Sequence, residues 1–206
     1  MTQETCSLGG ILTLGLGIPK GSLLDFETTG RPQKDTEHEV IALGYFDGNQ
    51  IVVVQRRTSE KDLFYRDLVT RIGLLPKPFY SYNASFEQEI MRTELGIKTD
   101  GDEITDLMEP WKAKAEGKGV KWPKLDDLIS EPSEYFGEQA IHNEDVPKLW
   151  KEYLSSGNPW ILDSIMSHCL SDVLRELILL IGYPALEGDK GQPHLPPSNS
   201  ESLNLW

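Results

Sequence analysis

A chain of 206 residues with 38% hydrophobic content suits one domain with a sizeable core. Its formal charge of −13, from 33 acidic against 20 basic residues, excludes a protein that coats nucleic acid with a generally positive surface, so any such contact is local or metal-assisted. Two cysteines, Cys6 and Cys169, are too few for a disulfide framework and point to a reducing compartment.

The N-terminal GGILTLGLGI is apolar, but MTQETCSL before it lacks the Lys or Arg of a signal peptide. No apolar run approaches the roughly 20 residues of a membrane span, so a cytoplasmic protein without membrane attachment is expected. GLGIPKG at 15–21 has the look of a dinucleotide loop, yet Pro19 and a strand follow it where that fingerprint needs a helix.

The first strand is placed at LLDFETTG, residues 23–30. Side chains alternate across a strand, so Leu24 and Phe26 enter a core while Asp25 and Glu27 share the other face, about 7 Å apart. EVIALGYF and QIVVVQRR flank Asp47-Gly48-Asn49, which predicts a hairpin and an antiparallel three-strand meander. SEKDLFYRDLVTRIG carries apolar residues at 63, 64, 68, 69 and 72 and reads as a helix stopped by Gly73. KPFYSYNA then reads as a strand and SFEQEIMRTELG as a helix, with Ser85 and Gln88 as a capping box and Gly96 as the stop. ITDLM is a further short strand and LDDLI opens a helix, whereas most of 109–140 is poorly periodic and stays unassigned. In IHNEDVPKLW, Asp145 or Asn143 caps a helix that has Pro147 near its start, a structural use of His142 and Asp145. The last element, NPWILDSIMSHCLSDVLRELILLIG, is a long buried helix capped by Asn158 with Pro159 at its first position. The order implies an α/β sheet of mixed strand direction. Domain bounds follow at 1–185, with a flexible, Pro-rich tail at 186–206.

Candidate chemistry sits at four places. Asp25 and Glu27 share a strand face, Glu87 stands in the first turn of a helix after a strand, and His168 and Asp172 stack at i, i+4 on the final helix. Such carboxylates suit Mg²⁺, which takes oxygen ligands. Residues 111–124, WKAKAEGKGVKWPK, hold five Lys and one Glu beside Trp111 and Trp122. This local basic and aromatic segment suits a phosphate backbone with stacked bases, or equally a solvated loop.

DFETTG at 25–30, YNASFE at 82–87 and HCLSDV at 168–173 together resemble the three motifs of the DEDD exonucleases of the ribonuclease H-like superfamily. His168 four positions before Asp172 makes the third motif most similar to the YprB-like branch, and the resemblance covers roughly residues 20–183. It implies a ribonuclease H-like α/β fold, the three-strand meander followed by parallel strands and flanked by helices. It also implies two-metal phosphodiester hydrolysis, as a 3′–5′ exonuclease on single-stranded DNA or RNA. Asp25, Glu27, Glu87 and Asp172 would hold two Mg²⁺ or Mn²⁺ ions, and His168 would orient or deprotonate the attacking water. Glu87 stands where most members carry Asp. Thr28 and Asn83 inside the motifs, with Lys112, Lys114 and Trp122, are the candidate substrate contacts. The alternatives are a catalytically inactive binding module of the same fold and a hydrolase of small nucleotides.

Overall fold

In the computed structural model, residues 7–13, 20–30, 38–129 and 141–188 are described, the first and the last six of these (7–13 and 183–188) by backbone alone. Six strands form one sheet in the order β1-β4-β3-β2-β5-β6: β1 Ser7–Thr13, β2 Ser22–Thr28, β3 Val40–Phe46, β4 Gln50–Arg56, β5 Phe79–Ser81 and β6 Ile104–Asp106. Strands β1 to β4 pair antiparallel, and β5 and β6 continue the sheet in parallel from β2. The expected meander is β2-β3-β4, and β1 extends it at the edge from the N-terminal apolar stretch that the sequence reading left without a strand. The helices are α1 Asp62–Leu74, α2 Ser85–Thr93, α3 Glu109–Glu116, α4 Leu125–Leu128, α5 Val146–Ser156 and α6 Pro159–Gly188. None of the described helices is long and apolar enough to cross a membrane.

Strand alternation distributes the helices over two faces. Leu24, Phe26, Leu43 and Tyr45 pack with Phe64, Leu68 and Ile72 of α1 and Ile90 and Met91 of α2. On the opposite face Leu23 and Phe46 meet Val173 and Leu177 of α6, while Ile41 meets Trp150 of α5 and Ile165 of α6. Asp25 and Glu27 therefore lie on the α6 side of β2, as the alternation requires. Gly44 pairs with Asp25 across the ladder, and a Cβ built there would stand 2.5 Å from Val173 Cγ2 and 2.8 Å from Cys169 Sγ. Glycine thus lets α6 approach the sheet closely beside the first motif. The register shifts at Glu27/Thr28, where Ala42 and then Val40 are the partners, which leaves Ile41 bulged at the end of that motif.

The Asp47–Asn49 turn forms as expected: Asp47 Oδ1 accepts the N–H groups of Asn49 and Gln50, and Gly48 takes φ +99°. Gly73 does not stop α1, which continues to Leu74. The break comes at Leu75, held extended before Pro76 because a residue preceding proline avoids helical backbone. Leu63 and Val69 turn out exposed, so the buried stripe of α1 is Phe64, Leu68 and Ile72 alone. The Ser85–Gln88 capping box is absent: Ala84 is the N-cap residue, and the Ser85 hydroxyl turns to Asn83 Oδ1 at 3.2 Å. Gly96 takes φ +66° just past α2, as a helix stop should. Asp145 stands at the N-cap of α5 but binds Lys148 Nζ at 3.0 Å through its side chain and makes no cap bond. Asn158 does cap α6, its Oδ1 accepting the Trp160 N–H at 3.2 Å. The glycine loop before Lys20 and residues 189–206 of the expected tail lie outside the described residues, and α6 itself runs to Gly188.

Candidate metal centre

Three local structures converge at the C-terminal end of β2. The pleat of β2 presents Asp25 and Glu27; the β5-to-α2 turn presents Glu87; α6 presents His168, Asp172 and Glu176 at four-residue spacing on one face. The turn depends on Asn83, which takes φ +66°, a conformation Asn tolerates, while Asp106 Oδ1 at the end of β6 accepts its N–H at 2.9 Å.

His168 Nε2 lies 3.6 Å from Glu27 Oε1 and 3.6 Å from Asp172 Oδ2, so α6 closes onto β2 through these groups. The same nitrogen is 2.7 Å from Asn143 Oδ1, on the loop before α5. Arg175 Nη1 bridges Asp172 Oδ1 and Asp126 Oδ1, both at 2.7 Å, which holds one oxygen of Asp172 and leaves the other toward His168. Cys169 Sγ sits 3.9 Å from Asp25 Oδ2. Ligand-type atoms of Glu27, His168 and Asp172, and separately of Asp25, Glu27 and Cys169, lie within 4.8 Å of one another.

The electrostatics are those of crowded acids. Burial, then the Asp172 charge, push the Asp25 carboxyl well above the usual carboxylate range; burial, then Asp25, Asp172 and Glu87, do the same to Glu27. Burial and Asp25 raise Glu87, and burial, Asp25 and Glu87 raise Glu176. Asp172 is raised less, because His168 and Arg175 oppose its burial. Glu87 Oε2 and Glu176 Oε2 are sealed from solvent with no hydrogen-bond partner among the described residues. Buried carboxylate oxygens without donors are costly, and hard oxygen donors gathered this closely fit a divalent cation.

A pH dependence follows. Folded-state values raised above the ordinary 3.8 for Asp and 4.5 for Glu mean that the folded chain binds more protons than the unfolded one. That contribution is fully present below about pH 4 and is lost as pH rises through the raised values. In chelator, the melting temperature is expected to fall between pH 5 and pH 8, and millimolar Mn²⁺ should recover the loss at pH 8. A metal-free melting temperature that rises over this range in differential scanning calorimetry would contradict the acid crowding.

The structure brings together Asp25, Glu27, Glu87, His168 and Asp172, the five candidates from three distant segments. Two residues at the centre escaped the sequence reading. Glu176 carried a signal, since it continues the i, i+4 spacing of His168 and Asp172 by one more turn. Asn143 carried none, because only the tertiary approach of its loop puts it on His168. The candidate substrate contacts are more dispersed. The Thr28 hydroxyl donates to Gly30 O at 2.6 Å, and Asn83 accepts from Ser85. Lys112 is paired with Asp106 at 2.5 Å and lies 5.3 Å from the Trp122 ring centroid, so it is committed within the protein. Lys114 and Trp122 are exposed, with the Lys114 ammonium 5.6 Å from the Trp111 ring centroid. This segment is tied to the acids: the Tyr82 hydroxyl donates to Pro123 O at 2.7 Å, and Asp126 holds Arg175.

A search of curated proteins finds no match to the chain. A family model described as RNase_H superfamily, RNase_H_2, matches residues 23–182 and so includes β2, the β5–α2 turn and α6 through the whole acid cluster. The mixed sheet, the helices on its two faces and this match agree, and the chain belongs to the ribonuclease H superfamily.

Proposed function

We propose that the protein is a metal-dependent nuclease, a 3′–5′ exonuclease acting on single-stranded DNA or RNA. The observation that carries this reading is the convergence of Asp25, Glu27, Glu87 and Asp172 with His168 at one end of the sheet, in a superfamily match that spans them all. Two Mg²⁺ or Mn²⁺ ions held there would supply an activated water and charge stabilisation of the leaving oxygen. Asp25, Glu27, Glu87 and Asp172 would hold them, and Arg175 fixes the orientation of Asp172. His168 takes the proton of the attacking water. Its Nε2 lies 2.7 Å from Asn143 Oδ1, so that nitrogen must be unprotonated and free of this contact before it accepts a proton.

The exposed Lys114, Lys118 and Lys121 beside Trp111 and Trp122 supply a local cationic and aromatic path for a strand on an otherwise acidic chain. Lys112 contributes by holding Asp106 and backing Trp122.

The test is single-turnover cleavage of end-labelled DNA and RNA oligomers. Shortening from the 3′ end in Mg²⁺ or Mn²⁺, abolished by chelator, is the expected result. Intact oligomers under all conditions would favour an inactive binding module, and cleavage confined to mononucleotide esters would favour a small-nucleotide hydrolase. In the same system, alanine at 114, 118 and 121 should reduce the salt slope of oligomer binding by about 0.7 per lost phosphate contact. An unchanged slope would remove the segment from the substrate path.

A further inference from the structure

The motifs account for four carboxylates, and α6 delivers a fifth. Glu176 is 1% exposed and lies one turn beyond Asp172. Its Oε1 accepts the Tyr82 N–H at 2.9 Å, which ties α6 to the β5–α2 turn that leads into the first turn of α2 and Glu87. Its Oε2 is sealed from solvent and has no partner among the described residues. The charges that act on it are Asp25, Glu87 and Asp172, all carboxylates of the centre. One backbone N–H satisfies a single oxygen, and the second, buried in a negatively charged site, is met by a proton when the site is empty and by a cation or its bound water when it is filled.

We propose that Glu176 is a fifth acid of the cation centre: through Oε1 it sets the turn that aims Glu87, and through Oε2 it faces the divalent cations or the water they hold. This rests on reading the cluster as a divalent-cation site. It also accounts for a buried acid that would otherwise be replaceable by any residue able to accept one backbone hydrogen bond.

The test separates charge from scaffolding. Glu176→Gln keeps the volume and an acceptor for the Tyr82 N–H but removes the negative charge. Titration of Mn²⁺ into the full chain by calorimetry should show about 10- to 100-fold weaker binding in E176Q, the range expected when an acid supporting a metal is lost. Equal affinity in E176Q and the unaltered chain overturns the proposal and leaves the reading of the centre intact. No Mn²⁺ binding by the unaltered chain overturns both. Should E176Q not fold, crystals of the unaltered chain soaked in Mn²⁺ decide. An ion or an ion-bound water in contact with Glu176 Oε2 upholds the assignment, and occupied ions with Oε2 turned away from them and their waters refute it.

Discussion

Asp25→Asn should lose about 10³-fold or more in the rate of oligomer cleavage while gaining stability in the absence of metal. The two effects have one origin. Asp25 is pushed well above the usual carboxylate range by burial and by Asp172, and it raises Glu27, Glu87 and Glu176 in turn. Without a cation, removing its charge relieves that repulsion at neutral pH, so the variant melts higher in chelator. With cations, the same charge would serve as a ligand on the proposed reading. A unit charge about 4 Å from another at an effective dielectric near 20 is worth about 4 kcal/mol, or about 10³ in rate. Asparagine matches the volume of aspartate, so packing is not the variable. A residue whose loss stabilises the fold and removes activity is there for chemistry. Unchanged cleavage, or a lower melting temperature in chelator, would count against its assignment to the centre.

Gly44→Val should destabilise the protein by about 3 kcal/mol, at the upper end for overpacking, and lower the melting temperature by roughly 10 °C. A Cβ at this position would meet Val173 Cγ2 at 2.5 Å and Cys169 Sγ at 2.8 Å, both closer than side-chain carbons normally approach. Either α6 lifts or β3 bends. Substituting glycine also restricts the unfolded chain, which offsets less than about 1 kcal/mol, and valine's preference for strands adds a smaller gain. The steric term wins. Because Gly44 is the ladder partner of Asp25 and α6 carries His168 and Asp172, a lifted helix also opens the centre, and weaker Mn²⁺ binding should accompany the lower melting temperature. A variant that melts at or above the unaltered chain would mean that α6 does not depend on this close approach.

The parts of the molecule legible in the sequence are those governed by local periodicity. The alternation in LLDFETTG placed Asp25 and Glu27 on one face of β2, and the His168–Asp172 spacing placed both on one face of α6, because a pleat and a helical turn need only neighbours in the chain. The Asp47–Asn49 turn was legible for the same reason. Strand β1 was not: its paired glycines, Gly9 and Gly10, carry weak strand preference, and its partner β4 lies about forty residues away. Gly73 misled because Pro76 downstream outweighs it as a helix terminator. Asn143, Asp126 and the role of Gly44 depend on which loops and helices reach the sheet, which no local pattern encodes.

The nuclease reading depends on the acids at 25, 27, 87 and 172 forming a divalent-cation centre. Calorimetric titration of Mn²⁺ into the unaltered chain and into a chain bearing both Asp25→Asn and Asp172→Asn tests it most directly. About two ions should bind per unaltered chain, and that binding should be lost in the double variant. No saturable binding to the unaltered chain, or the same binding in both, would contradict it.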